Sequence, residues 1–328
     1  MMVEAGTTAA ADIVTDIEAV GALASQGMHG IAYWEVMGWK NVDWKEEGYA
    51  KLLEMLEHMM KNGSIPSIGI SPHAPYSLET EPFVDLPDIA RQLNMRLHIH
   101  LAETPMEAGN HADTLTTYSA PDWNSNVWES YSELKSHGMT ASAIQFLDQL
   151  GSLGPDVHIA HGVWADGEDR RILRQRGVGV ALCPRSNRIT VTERDAPIRD
   201  YMEEGNLLAI GTDSLSSSPS LDVLDDAAKV YDLATAQGYR KDDLTHRIIR
   251  MLTLGGASVM GLHVGPHRIG QINAGATADL AFFNIPTDTS SPQGVEETLH
   301  NFVRHGAGSA KATVISGNLV YNNGAFAQ

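Results

Sequence analysis

Several side chains of the 328-residue sequence have types and positions suited to hydrolytic chemistry, and each stands at or just past the end of a short apolar run. In LHIHLAET the run ends in His100, and Glu103 follows three residues later. On a strand this spacing puts an imidazole at the tip and a carboxylate on the loop above it, a metal ligand beside a group that can take and give a proton. His98 faces the same side of the run as His100, one layer deeper. HIAHGVW ends the next run in His161, AIGTDS ends the last in Asp213, and SPHAPYS sets His73 just past an earlier one. A single site of this kind reads as readily as a strand end with solvated polar residues. Metal-binding or ionisable groups at four different strand ends point instead to one site, because a barrel builds its catalytic constellation there.

Seven runs rich in small, β-branched or apolar residues would position these groups: 7–14, 30–36, 65–71, 95–101, 156–161, 177–182 and 207–212. Amphipathic stretches separate them, including 46–62, 86–93, 140–150, 168–176 and 221–237, with Gly63 placed to end the first. Strands alternating with helices predict a parallel sheet with right-handed crossovers. The expectation is an α/β fold, a (β/α)8 TIM-type barrel lacking its first strand, over residues 1–262. A small β module follows over 263–328, where Gly275, Gly317 and Gly324 punctuate short strands. The longest interruption, 104–139, carries Tyr118, Trp123, Trp128 and Tyr131 and reads as a lid or an insert.

Composition removes several function classes. Hydrophobic residues make up 43% and charged residues 20%, which excludes a disordered or fibrous chain. With 23 Lys plus Arg against 41 Asp plus Glu the net charge is −18, so neither nucleic acid nor an anionic membrane surface is expected as a partner. No apolar run is long enough to span a membrane. Cys183 is the single cysteine; it reads as a buried structural thiol, and one cysteine cannot supply a Cys-rich zinc site or a PCxxC ligand pair. No export signal is read at the N-terminus, and a cytoplasmic location is expected. Glu35, in YWEVMG, reads equally as a substrate contact and as a structural acid.

Taken in order, GTT, SPHAPYS, HIHLAET, AHG, CPRSN, GTDS and GQINAGATADLAFFN resemble the amidohydrolase superfamily, in its cytosine, guanine and adenosylhomocysteine deaminase and chlorohydrolase branch. The resemblance runs over nearly the whole chain. It implies that His100 and Asp213 are metal ligands, that Glu103 shuttles the proton, that His161 orients the water on the metal, that Asp213 is catalytic as well, holding the hydroxide with His161 and helping ammonia leave, and that His73 contacts a heterocyclic substrate. It also implies a divalent cofactor, Zn²⁺ or alternatively Fe²⁺.

The family supplies two further ligands from a His-x-His at the end of a first barrel strand, and this sequence begins at the segment resembling the second strand. A fragment, a misplaced start codon or a degenerate gene would each give that pattern. Open sheet edges in such a chain would invite association with a second copy, a homo-oligomer. The activity expected is hydrolysis of a carbon–nitrogen bond by hydroxide on the metal, most simply deamination of an aminated purine or nucleoside-like heterocycle. The rival readings are a triazine-type chlorohydrolase and a non-catalytic chain.

Overall fold

In a computed structural model, residues 1–61, 67–109, 130–190, 192–286 and 290–326 are described. Gly63, Tyr118, Trp123 and Trp128, singled out above, lie outside them. Among the described residues seven strands form one sheet in chain order: β1 (Ala9–Val14), β2 (His29–Val36), β3 (Ile68–Pro72), β4 (Leu97–Leu101), β5 (Val157–His161), β6 (Gly179–Leu182) and β7 (Leu207–Ile210). β2 to β5 are parallel neighbours. The architecture is the expected α/β one, with helices between the strands.

The chain divides into two compact units, one of Ala11–Ala22 and Ile31–Val180, the other of Met1–Ala10, Leu23–Gly30 and Ala181–Gln328. In the first unit the strand pleat sorts side chains into layers. Tyr33 of β2 meets the rings of His98 and His158 edge-on, at centroid distances of 5.4 and 5.2 Å. Gly69, opposite Tyr33 in the β2–β3 register, makes room for that phenol: a Cβ there would fall 2.4 Å from the ring. One pleat further on, Glu35 pairs with Ser71 on the same face, and His100 stands one pleat above His98.

His158 is almost fully buried, its ring centroid 4.2 Å from that of His98. Burial, with the charge of Arg96 adding to it, pushes its pKa down to about 3. A histidine depressed in the folded state stabilises the fold above its unfolded pKa of about 6.5, and that stability is lost as pH falls from there towards 3. At pH 5 this one group is expected to cost the fold about 2 kcal/mol relative to pH 7. Thermal melts at the two pH values check it: His158→Gln should show a shallower fall in melting temperature than the wild type, and an equal fall would assign the acid sensitivity elsewhere.

The helices depart from the sequence reading at two places. The stretch expected at 86–93 is a longer helix, Thr80–Gln92, running through Pro87. Proline inside a helix leaves the carbonyl four residues earlier without its N–H partner, and here the Ser152 hydroxyl donates to the Phe83 carbonyl at 2.7 Å in its place. In the second unit, the C-terminal segment is not purely β. A helix, Pro292–His305, starts at Ser291, whose hydroxyl accepts from the Gly294 N–H, and lies between β8 (Leu280–Phe283) and the hairpin β9 (Ala310–Ile315) and β10 (Asn318–Asn322). Ser316 and Gly317 close that hairpin, both with positive φ, the backbone of a tight two-residue turn.

Candidate active site

In the first unit the tips of β3, β4 and β5 bring four of the expected residues together. β4 and β5 pair so that His100 lies opposite Ala160 and Leu101 opposite His161. The rings of His100 and His161 stack with centroids 5.5 Å apart, and the His73 ring lies 4.9 Å from that of His100. Glu103 reaches this group from the loop after β4: Oε1 is 3.7 Å from His161 Nε2, and Oε2 accepts from the Tyr76 hydroxyl at 2.9 Å.

The hydrogen bonds settle which nitrogen of two imidazoles carries the proton. His100 Nδ1 is 3.1 Å from the His73 carbonyl, which can only accept, so Nδ1 is the donor and Nε2 holds the lone pair. His73 Nδ1 is 2.6 Å from Ser77 Oγ, whose own proton goes to the Ala74 carbonyl; His73 therefore donates through Nδ1 and also keeps its lone pair on Nε2. Burial lowers the His73 pKa, the Glu103 carboxylate works against it, and His161 adds to the lowering. The neutral ring is the form a metal or a polar substrate needs.

The loop that presents Glu103 is built around a second carboxylate. Glu107 is fully buried and accepts from the backbone N–H groups of Ala102, Glu103 and Thr104, at 2.8, 2.9 and 2.9 Å, and from the Thr104 hydroxyl at 3.1 Å. Burial raises its pKa to about 7 although all four bonds pull the other way. The turn is backbone-strained as well, for Ala102 sits at φ 54°. His161, at φ 74°, is a second non-glycine residue held in the left-handed region at a strand end, an arrangement that costs energy and clusters at functional sites.

Asp213 belongs to the second unit. It too is left-handed, at φ 62°, and its carboxylate is held on both oxygens: Oδ2 accepts from Ser186 at 2.6 Å and Oδ1 from its neighbour's N–H, that of Ser214, also at 2.6 Å. Ser186, from the CPRSN segment, is fully buried with Ser217 Oγ 3.0 Å away. The two hydrogen bonds fix the orientation of the carboxylate.

Sequence reasoning missed Tyr76, Glu107 and Ser186 as individual residues. Thr104-x-x-Glu107 carries the capping-box signature and could have been found. Ser186 and Asp213 meet across 27 residues, which no local pattern reports.

Residues 1–320 match the model of the amidohydrolase family, and the chain belongs to that family. It is 30% identical over 320 residues to a 5-methylthioadenosine/S-adenosylhomocysteine deaminase of Moorella thermoacetica, covering 96% of this chain and 67% of the relative. To a 5′-deoxyadenosine deaminase of Methanopyrus kandleri it is 27% identical over 326 residues, covering 98% and 68%. Its fold is similar to that of a zinc-bound adenosine deaminase from Xanthomonas campestris, with TM-score 0.76 and 23% identity over 100% of this chain and 69% of the other. A zinc complex of the atrazine chlorohydrolase of Arthrobacter aurescens gives TM-score 0.73 at 20% identity over 97% and 69%.

Proposed function

We propose that the chain is a metal-dependent deaminase of an adenine nucleoside or a closely similar aminated heterocycle. The observation that carries this reading is the Glu103 carboxylate, anchored by Tyr76 and set 3.7 Å from His161 beside the His100 ring. The names of the two relatives, a 5′-deoxyadenosine deaminase and a 5-methylthioadenosine/S-adenosylhomocysteine deaminase, support the substrate class.

The residues present fit a divalent ion. Imidazoles with their Nε2 lone pairs fixed by outer hydrogen bonds, together with carboxylates, form a donor set suited to Zn²⁺, the choice proposed here, and to Fe²⁺. His100 and Asp213 are the ligands the family resemblance assigns. When bound, such an ion makes water acidic enough to act as a nucleophile near neutral pH.

The protein's own groups handle the protons. Glu103 accepts one from the attacking water and delivers it to the ring nitrogen next to the amine-bearing carbon. His161, rigid in its strained position, orients the water and polarises it. A carbon–oxygen bond forms, the second proton of the water passes from that oxygen to the amine, the carbon–nitrogen bond breaks, ammonia leaves, and the oxygen stays on the ring as a carbonyl. The deaminase relatives, rather than the placement of Glu103, favour deamination over hydrolytic dechlorination, in which chloride leaves without a proton.

A zinc-loaded preparation offered adenosine, 5′-deoxyadenosine, 5-methylthioadenosine and a chlorotriazine is the test. Ammonia from at least one nucleoside is expected. Chloride from the triazine with no ammonia would replace the reading with its rival, and neither product would make the chain non-catalytic.

A further inference from the structure

We propose that Tyr76 is the positioning residue of the proton-transfer step: its hydroxyl holds one oxygen of Glu103, Oε2, and leaves Oε1 as the oxygen that takes and returns the proton. The proposal rests on the deaminase reading above and goes beyond it. It gives the two carboxylate oxygens different tasks and assigns the difference to a side chain delivered by the neighbouring strand.

Tyr76 comes from the turn that SPHAPYS builds at the tip of β3, the parallel neighbour of β4. The Ala74 carbonyl accepts from the N–H groups of Ser77 and Leu78, at 3.0 and 3.2 Å, and from the Ser77 hydroxyl at 3.0 Å. Pro75, with its ring-locked φ, removes a further backbone freedom just before Tyr76. The Tyr76 ring then stands edge-on to that of His73, at a centroid distance of 5.8 Å and 88° between planes. Across the gap to β4, the His100 N–H donates to the His73 carbonyl at 2.9 Å, which ties the two strand tips together. Glu103 is held from its own side, for its backbone N–H donates to Glu107 Oε2 at 2.9 Å. With the main chain fixed on both sides, rotation of the Glu103 carboxylate is the freedom left, and the Tyr76 hydroxyl, 2.9 Å from Oε2, restrains it.

The division of labour follows from what each oxygen can accept. While Glu103 is a carboxylate, Oε2 takes the phenol's hydrogen bond, a charge-assisted one. Once the proton of the attacking water lies on Oε1, Oε2 is the carbonyl oxygen of a carboxylic acid and still accepts. The Tyr76 bond therefore survives both halves of the proton's path, whereas a proton on Oε2 would compete with it. Oε1 is also the oxygen on the His161 side, 3.7 Å from Nε2 of the residue that orients the water. In sequence, an O–H bond of water breaks as Oε1–H forms, and Oε1–H breaks as the N–H bond of the heterocycle forms. Tyr76 keeps its own proton throughout. Glu103 is buried, so a donor already in place spares the step a reorganisation that water would have to make.

The experiment is a double-mutant cycle on the zinc-loaded chain with 5′-deoxyadenosine, joined to infrared spectroscopy of the metal-stripped chain without substrate. Tyr76→Phe removes the hydroxyl and keeps the ring against His73; kcat is expected to fall roughly 10- to 100-fold with KM nearly unchanged. Added to Glu103→Gln, in which no proton travels through residue 103, Tyr76→Phe should cost nothing further. The carboxylate band that Glu103→Gln removes from the infrared spectrum should shift in Tyr76→Phe. Replacing Tyr76 by 3-fluorotyrosine, a stronger donor with the same ring, should move that band the opposite way, which keeps the test open if Tyr76→Phe fails to fold. Full turnover in Tyr76→Phe, an equal loss in both backgrounds, or an unshifted band overturns the proposal. Ammonia from the wild type with full turnover in Tyr76→Phe removes the role of Tyr76 and leaves the deaminase reading standing. No ammonia from the wild type removes both.

Discussion

Glu103→Gln is expected to lower kcat by about 100-fold or more while leaving the fold and the bound metal in place. The amide has the shape of the carboxylate and still accepts from Tyr76, 2.9 Å away, so the loop keeps its position. What it loses is the ability to take a proton from water and pass it to the ring. Because that step belongs to the transition state, KM should move little beside kcat. Steady-state kinetics with a metal assay on the same preparation checks it. Near-normal turnover would remove Glu103 from the mechanism, and loss of metal would make it a ligand instead.

The second large effect is expected at a residue that touches no substrate. Glu107→Ala leaves three backbone N–H groups and the Thr104 hydroxyl without their acceptor inside a fully buried turn. Leaving buried donors unsatisfied costs about 1–3 kcal/mol each, and removing a costly buried charge returns part of it; a net loss of about 3 kcal/mol is expected in chemical denaturation. Glu107 positions the residue that does the chemistry, so kcat should fall with KM nearly unchanged. Glu107→Gln, which keeps one oxygen for the three donors on Oε2, should recover part of both losses. Stability and turnover both unchanged in Glu107→Ala would show that the turn does not depend on this carboxylate.

These two residues illustrate how far the sequence could be read. His100 and Glu103 were legible because a strand end, an imidazole and a carboxylate three residues on form a local pattern with a chemical meaning. The strands were legible for the same reason: β-branched and small residues in short runs between amphipathic stretches. Where the outcome depends on a partner distant in sequence, the pattern is silent. Pro87 reads as a helix breaker, and only the Ser152 hydroxyl, 69 residues from the Phe83 carbonyl it serves, lets the helix continue. The helix Pro292–His305 had its Ser291 cap and first-position proline in plain view, but the glycine-rich strands around it set the expectation for the whole segment. Glu35 read equally as a structural acid and a substrate contact, because what decides its role is the two neighbouring strands that set it beside His73 and His100.

Hydrolytic deamination with water as the nucleophile meets its most direct test in isotopically labelled solvent. The zinc-loaded chain is incubated with 5′-deoxyadenosine in water enriched in the heavy oxygen isotope, and the product is weighed by mass spectrometry while ammonia is assayed in parallel. The expected result is one ammonia per product molecule, and one heavy oxygen on the ring carbon that carried the amine. Unchanged nucleoside, or a deaminated product without the label, would contradict it.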